Sequence, residues 1–222
     1  DKVSLDLLQY IARIPRVKDL TDVPAGTPVL VRGDLDCKPG AKVGEGDIRL
    51  RSMKETLEIG RQRGWIQVVF GHIGRDPQLS LEKVWKRLSE ILGCEIAFLR
   101  DWFDPATLTI RQEVVDAIKA AKPGDVILLE NTRKYDIERV LWKAKAADIP
   151  NLVEKLTNVA NEFATKVGNV YVHEAFSAGS LDTSSVVVTA AMEKVALGEY
   201  AYGEFAGPLA DCLKAQLVIS SG

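Results

Sequence analysis

Short apolar runs alternate along the chain with longer stretches whose apolar residues recur at helical spacing. Pro28-Val-Leu-Val-Arg32 is followed abruptly by Gly33, Asp34 and Asp36, the pattern of a buried parallel strand that ends at a polar crest. Ile66-Gln-Val-Val-Phe70 repeats it and runs into Gly71-His-Ile-Gly-Arg75-Asp-Pro, a turn-forming sequence that holds a histidine and an arginine. Val126-Ile-Leu-Leu129 leads into Glu130-Asn-Thr-Arg133-Lys-Tyr135. Asn169-Val-Tyr-Val172 leads into His173-Glu-Ala-Phe-Ser-Ala-Gly179, and Glu95-Ile-Ala-Phe-Leu99 predicts a further short strand.

The intervening stretches read as helices. Leu5, Leu8 and Ile11 predict a short packed helix before Pro15 interrupts. Asp47 is placed to cap a helix bearing Leu50, Met53 and Leu57. Ser80 opens another, with Leu81, Val84, Trp85, Leu88, Ile91 and Leu92 on one face and Gly93 as its stop. Residues 110–121 and 150–168 give two more, the latter with Leu152, Leu156, Val159, Phe163 and Val167 as its stripe. Residues 207–214 read as a helix and 216–222 as a strand that stops at its own glycine turn. A strand entering a loop lacks its backbone partners and its crossover, so an interrupted sequence is expected there, as it is at a start without an initiator Met.

Strands and helices in alternation predict an α/β fold: a Rossmann-like three-layer parallel sheet with helices on both faces. Ligands of such sheets bind outside the carboxyl ends of the strands, where Asp34, Asp36, Arg49 and Arg51 would gather.

Composition narrows the choice of partners. A formal net charge of -2 argues against a general nucleic-acid or membrane-surface binder, and no apolar run approaches the roughly 20 residues that cross a bilayer. No basic and apolar leader is visible, so a cytoplasmic location is expected. Cys37, Cys94 and Cys212 are scattered, which favours reduced thiols over disulfides or a zinc site. Cys37 lies beside the acidic loop, where a reactive thiol is the alternative to a structural one.

The loops after the strands also bring His72, Arg75 and Arg133. Guanidinium forks grip phosphate and carboxylate bidentately, so several of them from separate loops suit a small dianion or trianion. Carboxylates among them would bind a substrate hydroxyl and orient the arginines. The plainer reading is a set of surface ion pairs, each worth ~0 to 1 kcal/mol. GxGxxG, GxxxxGK[ST] and GxSxG motifs are absent, and two histidines cannot make a histidine-rich metal site.

Five segments in order resemble the amino-terminal half of the phosphoglycerate kinase family. They are Val31-Arg-Gly-Asp34-Leu-Asp36, Asp47-Ile-Arg49-Leu, Gly71-His72-Ile-Gly-Arg75-Asp, Leu128-Leu-Glu-Asn-Thr-Arg133-Lys-Tyr135 and Val172-His-Glu-Ala-Phe176. The resemblance implies an amino-terminal extension over 1–16, a substrate-binding α/β domain over 17–205, and a hinge with the first strand of a nucleotide domain over 206–222. It implies a glycolytic, monomeric kinase whose substrate is 3-phosphoglycerate. Asp34 would hold the substrate hydroxyl, and Asp36 would stand where the family has an asparagine. His72, Arg75 and Arg133 would clamp the phosphate, and Arg49 would lie at the carboxyl that becomes the acyl phosphate. ATP or ADP and Mg2+ are implied on the family's other half, so this chain alone is expected to bind substrate without turnover.

Two further departures from the family's pattern stand out. Leu181 takes the place of a phosphate-binding arginine and neighbouring histidines are gone; a lost charged clamp costs roughly 1.5 to 3 kcal/mol unless replaced. Residues 136–149 form a long loop whose Lys143 and Lys145, together with Lys134 just before it, offer replacement charge. Alternatives to the kinase are a non-catalytic relative, kept for binding or regulation, and an α/β domain for another small phosphorylated acid.

Overall fold

The computed structural model describes residues 14–175, 181–206 and 215 of the 222-residue chain. In chain order its strands are β1 (Pro28–Arg32), β2 (Ile66–Phe70), β3 (Ile96–Leu99), β4 (Phe103–Asp104), β5 (Thr109–Ile110), β6 (Val126–Leu129), β7 (Val170–His173) and β8 (Lys194–Leu197). Six of them form a parallel sheet in the order β3-β6-β2-β1-β7-β8, while β4 and β5 pair as a small antiparallel hairpin. The chain leaves β1 toward β2 on one side and leaves β7 toward β8 on the other. The sheet therefore reverses its winding between β1 and β7, the position where such folds carry a crevice.

Alternation along each strand divides the core in two. Val29, Val31, Val69, Leu128 and Val172 meet Leu50, Met53, Leu57, Val84 and Leu88 on one face. These come from helices α1 (Ile48–Ser52), α2 (Lys54–Gln62) and α3 (Glu82–Leu92). Leu30, Val68, Phe70, Ile127, Leu129 and Tyr171 pack on the other face against Val114, Ile118, Val159 and Phe163. This second layer is built by α4 (Gln112–Ala120) and, after the short turn α5 (Asp136–Arg139), by α6 (Ile149–Glu162). Each of these side chains contributes about 1.5 to 3 kcal/mol relative to an exposed one, so both layers are firmly seated and the strand ends between them are fixed. This is the three-layer α/β sandwich expected from the pattern.

Several local expectations shift. β8 and the β4–β5 hairpin were not foreseen: Lys194-Val-Ala-Leu is short, opens with a lysine, and pairs along its length with β7 alone, its other edge meeting the chain only where Leu197 N–H donates to Pro15 O. Asp47 stands at the start of α1 without capping it by its side chain. Its buried carboxylate instead accepts from Gly44 N–H, Arg51 Nε at 2.8 Å and Arg87 at 2.7 Å. Burial opposes its charge, but those bonds prevail and hold the carboxyl down at about 2. α3 starts at Glu82, with Ser80 Oγ accepting from Glu82 N–H, and Gly93 closes it at φ 65°, as the sequence predicts. The expected helix over 1–16 falls largely, and the helix 207–214 and strand 216–222 wholly, outside the described residues.

Candidate functional site

The site begins where the strands stop. Gly33 N–H donates to Phe70 O, Thr132 N–H to Gly71 O and Glu174 N–H to Arg32 O, so the sheet's bonding runs one step past the strands into the crest loops. A Cβ on Gly71 would lie 2.9 Å from Gly33 O, which makes glycine the condition for so close an approach. The approach sets the loop 34–36 beside the loop 72–74. Gly74, at φ 59°, turns the second loop so that its N–H reaches Asp36 Oδ1 at 2.9 Å.

One end of this crest is open. Arg49, projecting from α1, donates to Asp36 O at 2.8 Å and lies 3.5 Å from Asp34 Oδ1. Its side chain keeps 45% of its surface in water. Arg75 follows Gly74 on the same turn, exposed and with no ion pair among the described residues. Arg51 turns away to Asp47.

The other end is closed. Arg133 donates from Nε and from one terminal nitrogen to Asp182 Oδ2 at 3.2 and 3.1 Å, and from the other terminal nitrogen to Gly74 O at 2.8 Å. Arg32, the last residue of β1 and fully buried, reaches the same Asp182 oxygen at 3.3 Å. Trp142 donates from Nε1 to Asp182 Oδ1 at 2.8 Å and lays its ring 4.7 Å from the Arg133 guanidinium, a cation–π contact. The Asp182 side chain has no exposed surface.

His72 stands between the two ends. Its Nδ1 is 3.0 Å from an Arg32 nitrogen, and since arginine only donates, Nδ1 must accept and the ring proton sits on Nε2, 3.9 Å from Asp36. Burial, then the charges of Arg32 and Arg133, push the imidazole down to about 4, outweighing Asp182 and Asp36. His72 is therefore a neutral donor, and its 3.5 Å approach to Asp182 is no ion pair.

Buried polar groups brace the loops. Glu130 accepts from Leu81 N–H, Ser80 Oγ and Asn131 N–H, fixing the start of α3. Asn131 accepts from Arg133 N–H and Ile73 N–H and donates to Leu79 O, so it ties the 72–79 loop to the arginine that follows it. Asp182 is held from behind by the helical turn α7 (Thr183–Val186). Ser184 donates from N–H and Oγ to the buried Glu138 at 2.7 and 2.6 Å, and Thr183 Oγ1 donates to Ile137 O.

Of the six residues picked from the sequence, Asp36, His72 and Arg133 are thus joined through one turn, Asp34 and Arg49 flank it, and Arg75 stands at its tip. Leu181 is 56% exposed and offers no charge. The long loop brings Trp142 to the clamp; Lys134, Lys143 and Lys145 are all exposed. Burial, with Asp34 nearby, raises the Cys37 thiol to about 11, which disfavours the thiolate. Arg32, Trp142 and Asp182 were not singled out. Nothing local marks Asp182, since its partner Arg133 is 49 residues away in sequence. Among the described residues no group of three or more His, Cys, Asp or Glu is placed to hold a metal.

A doubly wound α/β domain with Arg49, Arg75 and Arg133 along its carboxyl edge is the class of fold that carries its crevice at that edge. The family can be named more closely. A sequence model of the phosphoglycerate kinase family matches residues 17–209, and the chain belongs to that family. It is 34% identical over 179 residues to phosphoglycerate kinase of Borreliella burgdorferi, covering 78% of this chain and 40% of that protein. It is 32% identical over 165 residues to that of Rhizorhabdus wittichii, covering 72% and 36%. The crystal structure of phosphoglycerate kinase from Pyrococcus horikoshii OT3 superposes with a TM-score of 0.67 at 23% identity, over 86% of this chain and 44% of that one. The Coxiella burnetii enzyme gives 0.60 at 21%, over 86% and 43%. The chain thus spans about 40% of the length of the curated relatives it matches.

Proposed function

We propose that this chain supplies the glycerate-binding half of a phosphoglycerate kinase, which transfers a phosphoryl group between 1,3-bisphosphoglycerate and ADP to give 3-phosphoglycerate and ATP. The observation that carries the reading is the linked turn Asp36–Gly74–Arg133, with Arg49 at one end and Arg75 at its tip. Asp34 would accept the glycerate hydroxyl, neutral His72 would donate from Nε2, and Arg75 would meet the phosphate. Arg49 would sit at the carboxyl and offset the charge of the group in flight, because phosphoryl transfer is chiefly positioning and charge stabilisation. Nucleotide and Mg2+ would be held outside the residues that this chain shares with its relatives. On its own, then, the chain would bind and not turn over. Titration calorimetry with 3-phosphoglycerate tests this: millimolar or tighter binding that weakens roughly ten-fold or more in Arg75→Ala is expected, and heat identical to buffer dilution rejects it.

A second reading, a non-catalytic module of the same family, draws on Asp182, which engages the arginine that a phosphate would need. The two separate on turnover by the complete protein in a coupled assay.

A further inference from the structure

The clamp at the closed end is built like a phosphate site that already holds an anion. Two buried guanidinium groups and one indole N–H converge on the single carboxylate of Asp182, and the neutral His72 ring stands beside it, held by Arg32. Its seat is not an accident of a loose loop. The next two residues are bonded to α5 through Ile137 and Glu138, and Trp142 covers the front. A carboxylate nevertheless serves the clamp incompletely. Nε and the second terminal nitrogen of Arg32 are buried, yet neither has a hydrogen-bond partner among the described residues. A phosphate, with three terminal oxygens, has acceptors to offer where the carboxylate has none left.

We propose that Asp182 is a resident counter-anion, filling the place between Arg133, Arg32 and His72 that a ligand's phosphate would take, so that a phosphorylated ligand enters only by displacing it. Asp182 is then a specificity-determining residue. It penalises phosphomonoesters at the closed end and leaves Arg49, at the carboxylate-binding end, and the exposed Arg75 untouched. The inference rests on the glycerate reading for the placement of the phosphate.

The test is calorimetric titration of the 222-residue chain and of Asp182→Asn, which keeps shape and removes charge, with inorganic phosphate and with 3-phosphoglycerate. The variant is expected to bind both roughly ten-fold tighter or more, and adding Arg133→Ala is expected to abolish the gain. Affinities within about two-fold of the wild type, in a variant with native circular dichroism, overturn the proposal. If the variant does not fold alone, phosphate should restore its structure and chloride at equal ionic strength should not; no rescue overturns the proposal equally. A gain for inorganic phosphate with no preference for 3-phosphoglycerate keeps the counter-anion and removes the glycerate reading. Binding of 3-phosphoglycerate unaltered by Asp182→Asn does the reverse.

Discussion

Arg49 and Arg133 carry the same charge at the same edge of one sheet, yet their surroundings make them different groups. Arg49 has 45% of its side chain in water and lies 3.5 Å from an Asp34 that is itself partly exposed. Water screens that pair, and such contacts contribute ~0 to 1 kcal/mol. Arg133 keeps 5% in water and faces an Asp182 with none. There the desolvation of each charge is large and is offset only while the partner stays in place. The open end leaves its arginine in water, whereas the closed end ties its arginines into the protein's own stability.

The largest way to break this comparison is Asp182→Ala. It strands two buried guanidinium groups and should lower unfolding free energy by about 3 to 5 kcal/mol, read from urea denaturation. A loss under about 1 kcal/mol would mean that the closed end behaves as surface.

The histidines sharpen the comparison through pH. His72 and His173 are both pushed down to about 4, first by burial and then by Arg32. Between 4 and 6.5 the unfolded chain takes up protons that the folded chain refuses. Their stabilisation is therefore full above 6.5 and is lost as pH falls toward 4, by roughly 3 kcal/mol for each histidine. Glu174 works in the opposite sense. Burial raises its carboxyl to about 7 against the bonds from Thr56 Oγ1 at 2.5 Å and Ala201 N–H at 2.7 Å. Its stabilisation is full below 4.5 and is lost as pH rises through 7. Burial raises the Glu138 carboxyl in the same sense as Glu174, so two glutamates oppose two histidines between pH 4.5 and 6.5, and Glu174→Gln, which removes one opposing group, should make the urea midpoint rise more steeply with pH than in the wild type. A flat profile in both proteins would contradict the burial of these groups.

How much of this the sequence discloses depends on how local each cause is. Strands β1, β2, β6 and β7 are continuous apolar runs ending at glycine or charge, and the periodicity of Val84, Leu88 and Ile91 depends on one helix alone, so both are legible. β8 is not, because its identity as a strand comes from lying beside β7 rather than from its four residues. The same division holds in the site. His72, Arg75 and Arg133 announce themselves by following apolar runs, and Arg49 by its place at a helix start after the first polar crest. Asp182 sits in a polar stretch with no pattern, and Arg32 reads as one strand residue among five; their meeting exists only once β1 and β7 are neighbours. Charged groups in the loops after the strands are visible one at a time, while a charge neutralised across the fold is visible only in the fold.

The smallest expected effect tests the open end. Arg49→Ala removes the bond to Asp36 O and a long, screened contact to Asp34, and the Asp36 side chain keeps its own anchor in Gly74 N–H. Loss of stability should thus stay within ~1 kcal/mol. If Arg49 is held for a ligand's carboxyl, the same change should weaken 3-phosphoglycerate binding by roughly ten-fold or more, a loss of charge-assisted bonds that unfolding does not report. Calorimetry and urea denaturation on the one variant then answer together. A large stability loss with unchanged binding would make Arg49 a brace of the 34–36 loop, like Arg133 at the closed end, and the contrast between the two arginines would fail.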